Sequence, residues 1–134
     1  MSWRVNHAYC EGRLFIYKNS FSEARKQLRF AFLNCHPDYH QNMKKILKFL
    51  VPVEMNLYTF PTKALLLKYN LNDYIEIADA CQQGNILKFE QALEFQMDNF
   101  VYGGVYMVLE RLRHLTLRNL VKKVALAVQR EPDL

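Results

Sequence analysis

The basic side chains of the segment from Tyr102 to Val128 have the residue types and the spacing of an anion-binding surface. Six bases lie in the segment or just beyond it: Arg111, Arg113, Arg118, Lys122, Lys123 and Arg130. The single acid between Tyr102 and Arg130 is Glu110. Positive groups without interspersed acids attract phosphates and carboxylates. The segment therefore predicts a surface for nucleic acid or for an acidic protein, and none of its residues is typical of a catalytic group.

Nucleic-acid binding by this basic surface leads to specific expectations, and there is one alternative. Phosphate contacts would weaken steeply with salt and show little sequence preference. Aromatic side chains at Tyr102 and Tyr106 would be accessible for stacking on unpaired bases. In the alternative, Lys122 and Lys123 are simply solvated and Arg111 pairs with a neighbouring acid.

An apolar pattern in the same segment predicts the element that positions the bases. Its members recur three to five residues apart: Val105, Val108, Leu109, Leu112, Leu115, Leu120, Val124 and Val128. This spacing is typical of a helix with one packing face. We expect one long helix, or two that meet near Thr116, after a break at Gly103 and Gly104.

Composition favours one folded domain with a moderately basic surface. The chain has 134 residues, is 51% hydrophobic and carries a formal charge of +5. Seven acids and one base lie between Tyr69 and Glu110, so the positive charge is concentrated in the flanking parts. No signal peptide is visible at the N-terminus, and no apolar run is long enough to predict a membrane span.

Cysteine and histidine positions argue against metal and catalytic sites. The odd number of widely spaced cysteines, Cys10, Cys35 and Cys81, does not indicate a disulfide framework, and we expect Cys10 and Cys81 in the core. The group nearest to a metal site is Cys35, His36 and His40, but it lacks a second ligand pair at zinc spacing. No phosphate-binding glycine loop or hydrolase motif is present. We expect no enzyme activity, no metal and no cofactor.

The remaining pattern predicts helices throughout. Their expected ranges are 3–17, 21–35, 39–57 with Pro52 inside, a short helix capped by Thr62 and running to Tyr69, 73–83 ended by Gly84, and 86–100. The first two helices have the spacing of a tetratricopeptide hairpin, with small or aromatic residues at Gly12, Phe15, Phe21, Ala24, Leu28 and Ala31. An ordinary antiparallel pair is the alternative. The predicted fold class is all-α, with antiparallel hairpins stacked into a right-handed solenoid.

Three segments together resemble the helical part of a PCI domain. They read FSEARKQLRFAFLNCH, KKILKFLVPVEMNLYTFPTKALLLKYNL, and ADACQQGNILKFEQAL followed by YGGVYMVLERLRHLTLRNLVKKVALA. The resemblance covers almost the whole chain, and its most specific parts are LVPVEM and RNLVKKV. It implies stacked helical hairpins that lead into a winged helix.

The resemblance also implies a function. It implies a non-catalytic scaffold subunit of a nuclear complex that couples transcription to messenger RNA export at the nuclear pore, with the cytoplasm as a second compartment. The implied partners are a large scaffold subunit, a small acidic Sem-type protein and the phosphate backbone of RNA or DNA. Of the site residues, Arg111, Arg113, Arg118, Lys122 and Lys123 carry over. The alternatives are another PCI assembly, such as the signalosome, the proteasome lid or a translation initiation factor, or a stand-alone nucleic-acid-binding module.

The sequence departs from the PCI pattern in one respect. We expect a single incomplete helical domain over residues 1–130 without the winged helix, and a polar tail over 131–134. A central piece of a longer subunit would leave an apolar face uncovered.

Overall fold

The computed structural model describes residues 2–129, and this part of the chain is helical. It contains nine helices and no strand. The helices group into two compact units, which divide between Asn72 and Asp73. The all-α prediction is confirmed. Arg130 and the predicted tail at 131–134 lie outside the described residues, and the single domain over 1–130 stays a prediction.

The first unit contains four helices whose ends follow local signals. They are α1 (Trp3–Tyr17), α2 (Phe21–Asn34), α3 (His40–Asn56) and α4 (Lys63–Lys68). The Ser2 hydroxyl accepts a hydrogen bond from the Val5 N–H, and the predicted Thr62 cap accepts one from Leu65. Asn19, in the turn after α1, has a φ of 62°, a left-handed conformation that asparagine tolerates. Each helix lies within two residues of its predicted ends.

Helices α1 and α2 form the closest pairing in the first unit, as the tetratricopeptide-like spacing predicts. Ala24, Leu28 and Ala31 are fully buried. A Cβ atom added at Gly12 would lie 2.6 Å from Leu28 Cγ, so only glycine allows this approach. Phe15, predicted with Leu28 to fill the seam, is only half-buried.

Replacing Gly12 with alanine is expected to destabilise the protein by about 1–2 kcal/mol. Overpacking against Leu28 costs roughly 1–3 kcal/mol, and the higher helix propensity of alanine returns up to about 1 kcal/mol. Urea denaturation measures the difference. The control is a double-mutant cycle with Leu28→Val, a substitution that makes room for the new methyl group. The double variant should therefore be more stable than the sum of the two single effects predicts. A Gly12→Ala protein as stable as the parent would contradict this packing.

Helix α3 supplies more buried residues to the first unit than any other of its helices. Nine of its residues are buried: Met43, Ile46, Leu47, Phe49, Leu50, Val51, Pro52, Val53 and Met55. Pro52 lies inside the helix, which continues to Asn56. Asparagine is a weak helix former. At the end of α3, the side-chain amide of Asn56 donates a hydrogen bond to the Pro52 carbonyl at 2.9 Å.

The second unit contains the remaining five helices. They are α5 (Asp73–Gln83), α6 (Ile86–Phe95), α7 (Met97–Tyr102), α8 (Tyr106–Glu110) and α9 (Leu112–Gln129). Helix α5 packs against both α6 and α9. Its Ile77 and Cys81 are fully buried, as are Phe89 of α6 and Leu112 of α9.

Two predicted boundaries in the second unit are wrong. The helix expected over 86–100 is interrupted at Gln96, whose N–H bonds to the Ala92 and Glu94 carbonyls as a cap. The break in the last segment falls at Arg111 rather than near Thr116. Thr116 lies inside α9, where its buried hydroxyl donates a hydrogen bond to the Leu112 carbonyl at 2.8 Å and so is satisfied within the helix.

Within residues 2–129, no helix has the length and apolar character needed to cross a membrane.

Candidate interface on the last helix

The turn after α5 holds α9 through a glycine. Gly84 has a φ of 70°, in the left-handed region that glycine adopts without strain. A Cβ atom there would lie 2.5 Å from the Leu120 backbone nitrogen and 2.8 Å from the Asn119 carbonyl carbon. The backbone of α9 therefore lies directly on this turn, and a larger residue at position 84 would displace it.

Polar groups tie the same two helices together. The Asn119 side-chain amide donates a hydrogen bond to the Cys81 carbonyl at 2.8 Å. That carbonyl is among the last four of α5, which have no partner within their own helix. The contact places the middle of α9 on the C-terminal end of α5, next to Gly84.

Burial divides α9 into a packed half and an exposed half. Leu112, Leu115 and Thr116 are buried. Every residue from Val121 to Gln129 is exposed. The anchoring contacts at Asn119 and Gly84 thus lie where the packed half ends.

Four exposed apolar side chains lie along one side of α9, from its middle to its end, and we call them the apolar stripe: Leu117, Val121, Val124 and Val128. Their spacing of four, three and four residues places them on one helix face. Their exposed fractions are 41%, 67%, 54% and 60%. This stripe is more than a scatter of single exposed residues, because the four are neighbours along the helix.

The predicted packing face of the last segment is confirmed only in its first part. Val105, Val108, Leu109, Leu112 and Leu115 are buried. Leu120 is half-buried, and the prediction is wrong for Val124 and Val128. Helices α5, α6 and α8 all contact α9, and the buried residues of α9 belong to its first two turns.

The bases of α9 lie apart from the apolar stripe. Arg118 and Lys122 are four residues apart and share one edge, which lies about a third of a turn from the stripe at 100° per residue. Arg111 lies before the start of α9, at the break between α8 and α9. Lys123 lies on the opposite side of the stripe. All four side chains are exposed, and we use the name basic edge for this set, which spans both sides of the apolar stripe.

Arg113 has a different environment from the other four bases. It donates two hydrogen bonds to Glu90, one of them at 3.0 Å, and a third to Glu110 at 3.3 Å. The Glu90 hydrogen bond raises the pKa of the Arg113 guanidinium above its usual value, so it stays charged. Among the described residues, Arg113 thus joins α9 to α6 and α8. The alternative interpretation of the sequence, an acidic partner for Arg111, stays a prediction.

The residues that position the interface were only partly visible in the sequence. Gly84 was recognised as a helix stop, but its contact with Leu120 spans 36 positions. Asn119 and Glu90 were not singled out at all. Local spacing contains no signal for such contacts, because they join different helices.

The thiol and imidazole groups of the described residues have different environments. Burial raises the pKa of the Cys81 thiol, which keeps it protonated and unreactive. His40 stacks on Tyr69, and His36 lies 5.6 Å from the Tyr39 ring. Between residues 2 and 129, no three His, Cys, Asp or Glu side chains are grouped so as to hold a metal ion. Cys10 is exposed on α1, so its prediction as a core residue is wrong.

The two tyrosines expected to be accessible differ in exposure. Tyr102 is 96% exposed, at the C-terminal end of α7. Tyr106 is half-buried at the start of α8. Of the pair, Tyr102 offers its ring to a ligand.

Comparisons with known proteins identify relatives over nine-tenths or more of the chain. The chain is 37% identical over 121 residues to Enhanced ethylene response protein 5 of Arabidopsis thaliana, matching 90% of the chain and 29% of that protein. It is 37% identical over 129 residues to PCI domain-containing protein 2 of Xenopus laevis, matching 96% of the chain and 32% of the relative. Protein CSN12 homolog of Gibberella zeae is 36% identical over 94% of the chain and 28% of its own length.

No protein-family model matches the chain. The chain spans about three-tenths of the length of the curated relatives it matches. Relatives called PCI domain-containing protein 2 or its homologue also occur in Dictyostelium discoideum and Danio rerio, at 35% and 37% identity. The all-helical fold and these identities over nine-tenths of its length place the chain in the PCI domain family, as a homologue of PCI domain-containing protein 2.

Proposed function

We propose that this chain is part of a non-catalytic scaffold subunit that couples transcription to messenger RNA export in the nucleus, at the nuclear pore. The supporting observation is the solvent-exposed surface of α9, where the apolar stripe and the basic side chains of Arg118, Lys122 and Lys123 lie on different faces. One helix thus offers a protein-binding face and an anion-binding face. The homology of the chain to PCI domain-containing protein 2 supports the role of a subunit.

The apolar stripe supports the protein-binding part of the proposal. Complete burial of a valine or leucine side chain stabilises an association by about 1.5–3 kcal/mol. Four partly exposed residues in line therefore offer several kilocalories per mole to a helix that packs on them. The proposed occupant is the large scaffold subunit of the export complex, with the small acidic Sem-type protein as a second partner.

The basic edge supports the nucleic-acid part. Arginine and lysine at Arg111, Arg118, Lys122 and Lys123 make charge-assisted contacts with phosphates. Such contacts position a protein on RNA or DNA without reading its sequence. We leave Arg113 out of this set because Glu90 and Glu110 already occupy its guanidinium group.

A pull-down from nuclear extract at moderate salt tests the proposal. The bait is the tagged chain, and mass spectrometry identifies the bound proteins. We expect the large export scaffold and the small acidic protein to be recovered, and a Val121→Asp/Val124→Asp variant to lose the scaffold, because charges on the apolar stripe prevent burial. Leu87→Asp is the matched control, since Leu87 is 67% exposed on α6.

Other outcomes of the pull-down separate the alternatives. Recovery of signalosome, proteasome-lid or initiation-factor subunits would contradict the export role and retain the scaffold role. Equal recovery by the stripe variant and the parent would contradict α9 as the protein-binding face. Salt-sensitive nucleic-acid binding without any protein partner would favour the stand-alone module.

A further inference from the structure

Helix α1 exposes a row of mostly apolar side chains on the side opposite its buried face, and we call this row the α1 stripe: Trp3, His7, Cys10, Leu14 and Tyr17. Their spacing of four, three, four and three residues is that of the a and d positions of a coiled coil. Val5, Ala8 and Gly12, which pack α1 on its own unit, lie on the other side of the helix. Helix α1 therefore has one packed face and a second, largely apolar face that meets solvent.

The exposed area of the α1 stripe is concentrated at its two ends. Trp3 is 77% exposed and Tyr17 is 88% exposed, against 51% for Leu14. Because an aromatic residue buries about 150–250 Å² in a contact, the whole stripe offers roughly 500–600 Å², and its two end rings supply more than half of that area. Two copies that pair through the stripe would bury roughly 1,000–1,200 Å² in total, the lower limit for a specific interface.

The shape of the stripe matches a crossed pair of identical helices. Its smallest side chain, Cys10, lies at the centre, seven residues from Trp3 at one end and seven from Tyr17 at the other. Two helices that cross are closest at the crossing point and separate towards their ends. A small thiol permits a close approach at the crossing point, and the large rings fill the widening gap. A two-fold axis at Cys10 gives both copies the same contacts.

Contacts within α1 hold the first half of the stripe in place. The Trp3 ring stacks on the His7 ring, with the centroids 5.4 Å apart and an angle of 11° between the planes. His7 Nε2 in turn lies 3.6 Å from Glu11 Oε1. Because these contacts restrict the rotamers of Trp3 and His7, less side-chain entropy is lost when a partner covers them.

The two arginines of α1 leave the stripe uncovered. Arg4 lies over the Phe30 ring, 5.9 Å from its centroid. Arg13 lies over the rings of Tyr9 and Phe49, at 5.5 and 4.9 Å. Attraction between a guanidinium group and a ring face holds both charges against their own unit. This placement reduces the repulsion that two identical copies would meet when their α1 helices approach.

We propose that the chain forms a two-fold symmetric dimer in which the α1 stripes of two copies cross at Cys10. Trp3 and Tyr17 of each copy pack at the ends of the interface. The two Cys10 thiols meet at its centre whether the helices run parallel or antiparallel, because both lie at the two-fold axis. The interface uses α1 alone, so it is independent of what α9 binds. Its small area predicts a dissociation constant in the micromolar range or weaker.

Cross-linking of the full chain with a short bismaleimide tests the contact at the centre of the interface. Cys10 is exposed, whereas Cys35 and Cys81 are buried, so the reagent reaches Cys10 first. We expect a covalent dimer whose yield rises with protein concentration, and Cys10→Ser should abolish it. Peptide mass spectrometry should show Cys10 joined to Cys10. A cross-link through another cysteine, or no cross-link at millimolar protein, would contradict the proposal.

Analytical ultracentrifugation over a concentration series measures the dissociation constant, and matched variants make the measurement specific. Leu14→Glu should raise the dissociation constant at least about tenfold, because a charge in the interface loses its hydration. Tyr17→Glu should do the same, and its site is too exposed to affect the packing of α1 on its own unit. Leu33→Glu adds the same charge on α2, at a leucine that is 79% exposed and lies outside the stripe, so it should leave the dissociation constant nearly unchanged.

Three further results would overturn the proposal. Equal weakening by Leu14→Glu and Leu33→Glu would show that the association does not depend on the α1 stripe. Loss of the dimer in Val121→Asp/Val124→Asp, with no effect of Leu14→Glu, would assign the interface to α9. Loss of the dimer after nuclease treatment would show that RNA or DNA bridges the two copies.

Discussion

Replacing Gly84 with alanine is expected to destabilise the protein by more than about 3 kcal/mol. The left-handed backbone at Gly84 costs an L-residue roughly 1–2 kcal/mol. The new methyl group would also lie 2.5 Å from the Leu120 nitrogen, which is backbone and cannot turn aside as a side chain does. Helix α9 must therefore shift, and the Asn119 hydrogen bond to Cys81 is lost with it. Chemical denaturation measures the loss.

Gly104→Ala is the matched control for this experiment. Gly104 also has a left-handed φ, of 79°, but it is exposed. Gly104→Ala should reduce the free energy of unfolding only by the cost of the strained backbone. The difference between the two variants therefore measures the contact of Gly84 with α9. Equal losses would show that α9 does not press on Gly84. Because Lys122 and Lys123 follow this anchor on α9, Gly84→Ala should also weaken any nucleic-acid binding.

Reversing the charge of Arg118, Lys122 and Lys123 to glutamate is expected to abolish most nucleic-acid binding. The logarithm of affinity falls with the logarithm of salt concentration, by about 0.7 per phosphate contact on a single strand. Loss of three contacts therefore reduces the steepness of this salt dependence, the slope of log affinity against log salt concentration, by about 2. If affinity near 1 M salt is unchanged, affinity at 0.1 M falls about 100-fold. Fluorescence anisotropy with a labelled single-stranded RNA, across a salt series, measures both quantities.

The control for charge reversal has the same net charge in a different place. Glutamate at Lys18, Lys45 and Lys63, all exposed in the first unit, changes the total by the same amount. A general effect of net charge would weaken both triple variants alike and would contradict a site on α9. Arg113→Gln should retain the salt dependence of affinity seen in the parent protein. This substitution instead removes the contacts of Arg113 with Glu90 and Glu110.

The helices themselves were largely predictable, because their signals are local. The ranges of α1 and α5 follow from capping, glycine and apolar spacing within a few residues. The close pairing at Gly12 and Leu28 was visible in the same way, since small residues at helical spacing indicate where two helices meet. The family resemblance also rested on such segments.

The candidate interface was predictable in composition but not in form. The sequence by itself determined that the last helix carries the bases and a helical apolar repeat, because both depend on residue type and spacing. Only the tertiary structure decided that Arg113 pairs with Glu90, that Val124 and Val128 are exposed, and that the backbone of α9 lies on Gly84. These outcomes depend on which helices meet, and contacts between residues more than twenty positions apart leave no trace in local periodicity.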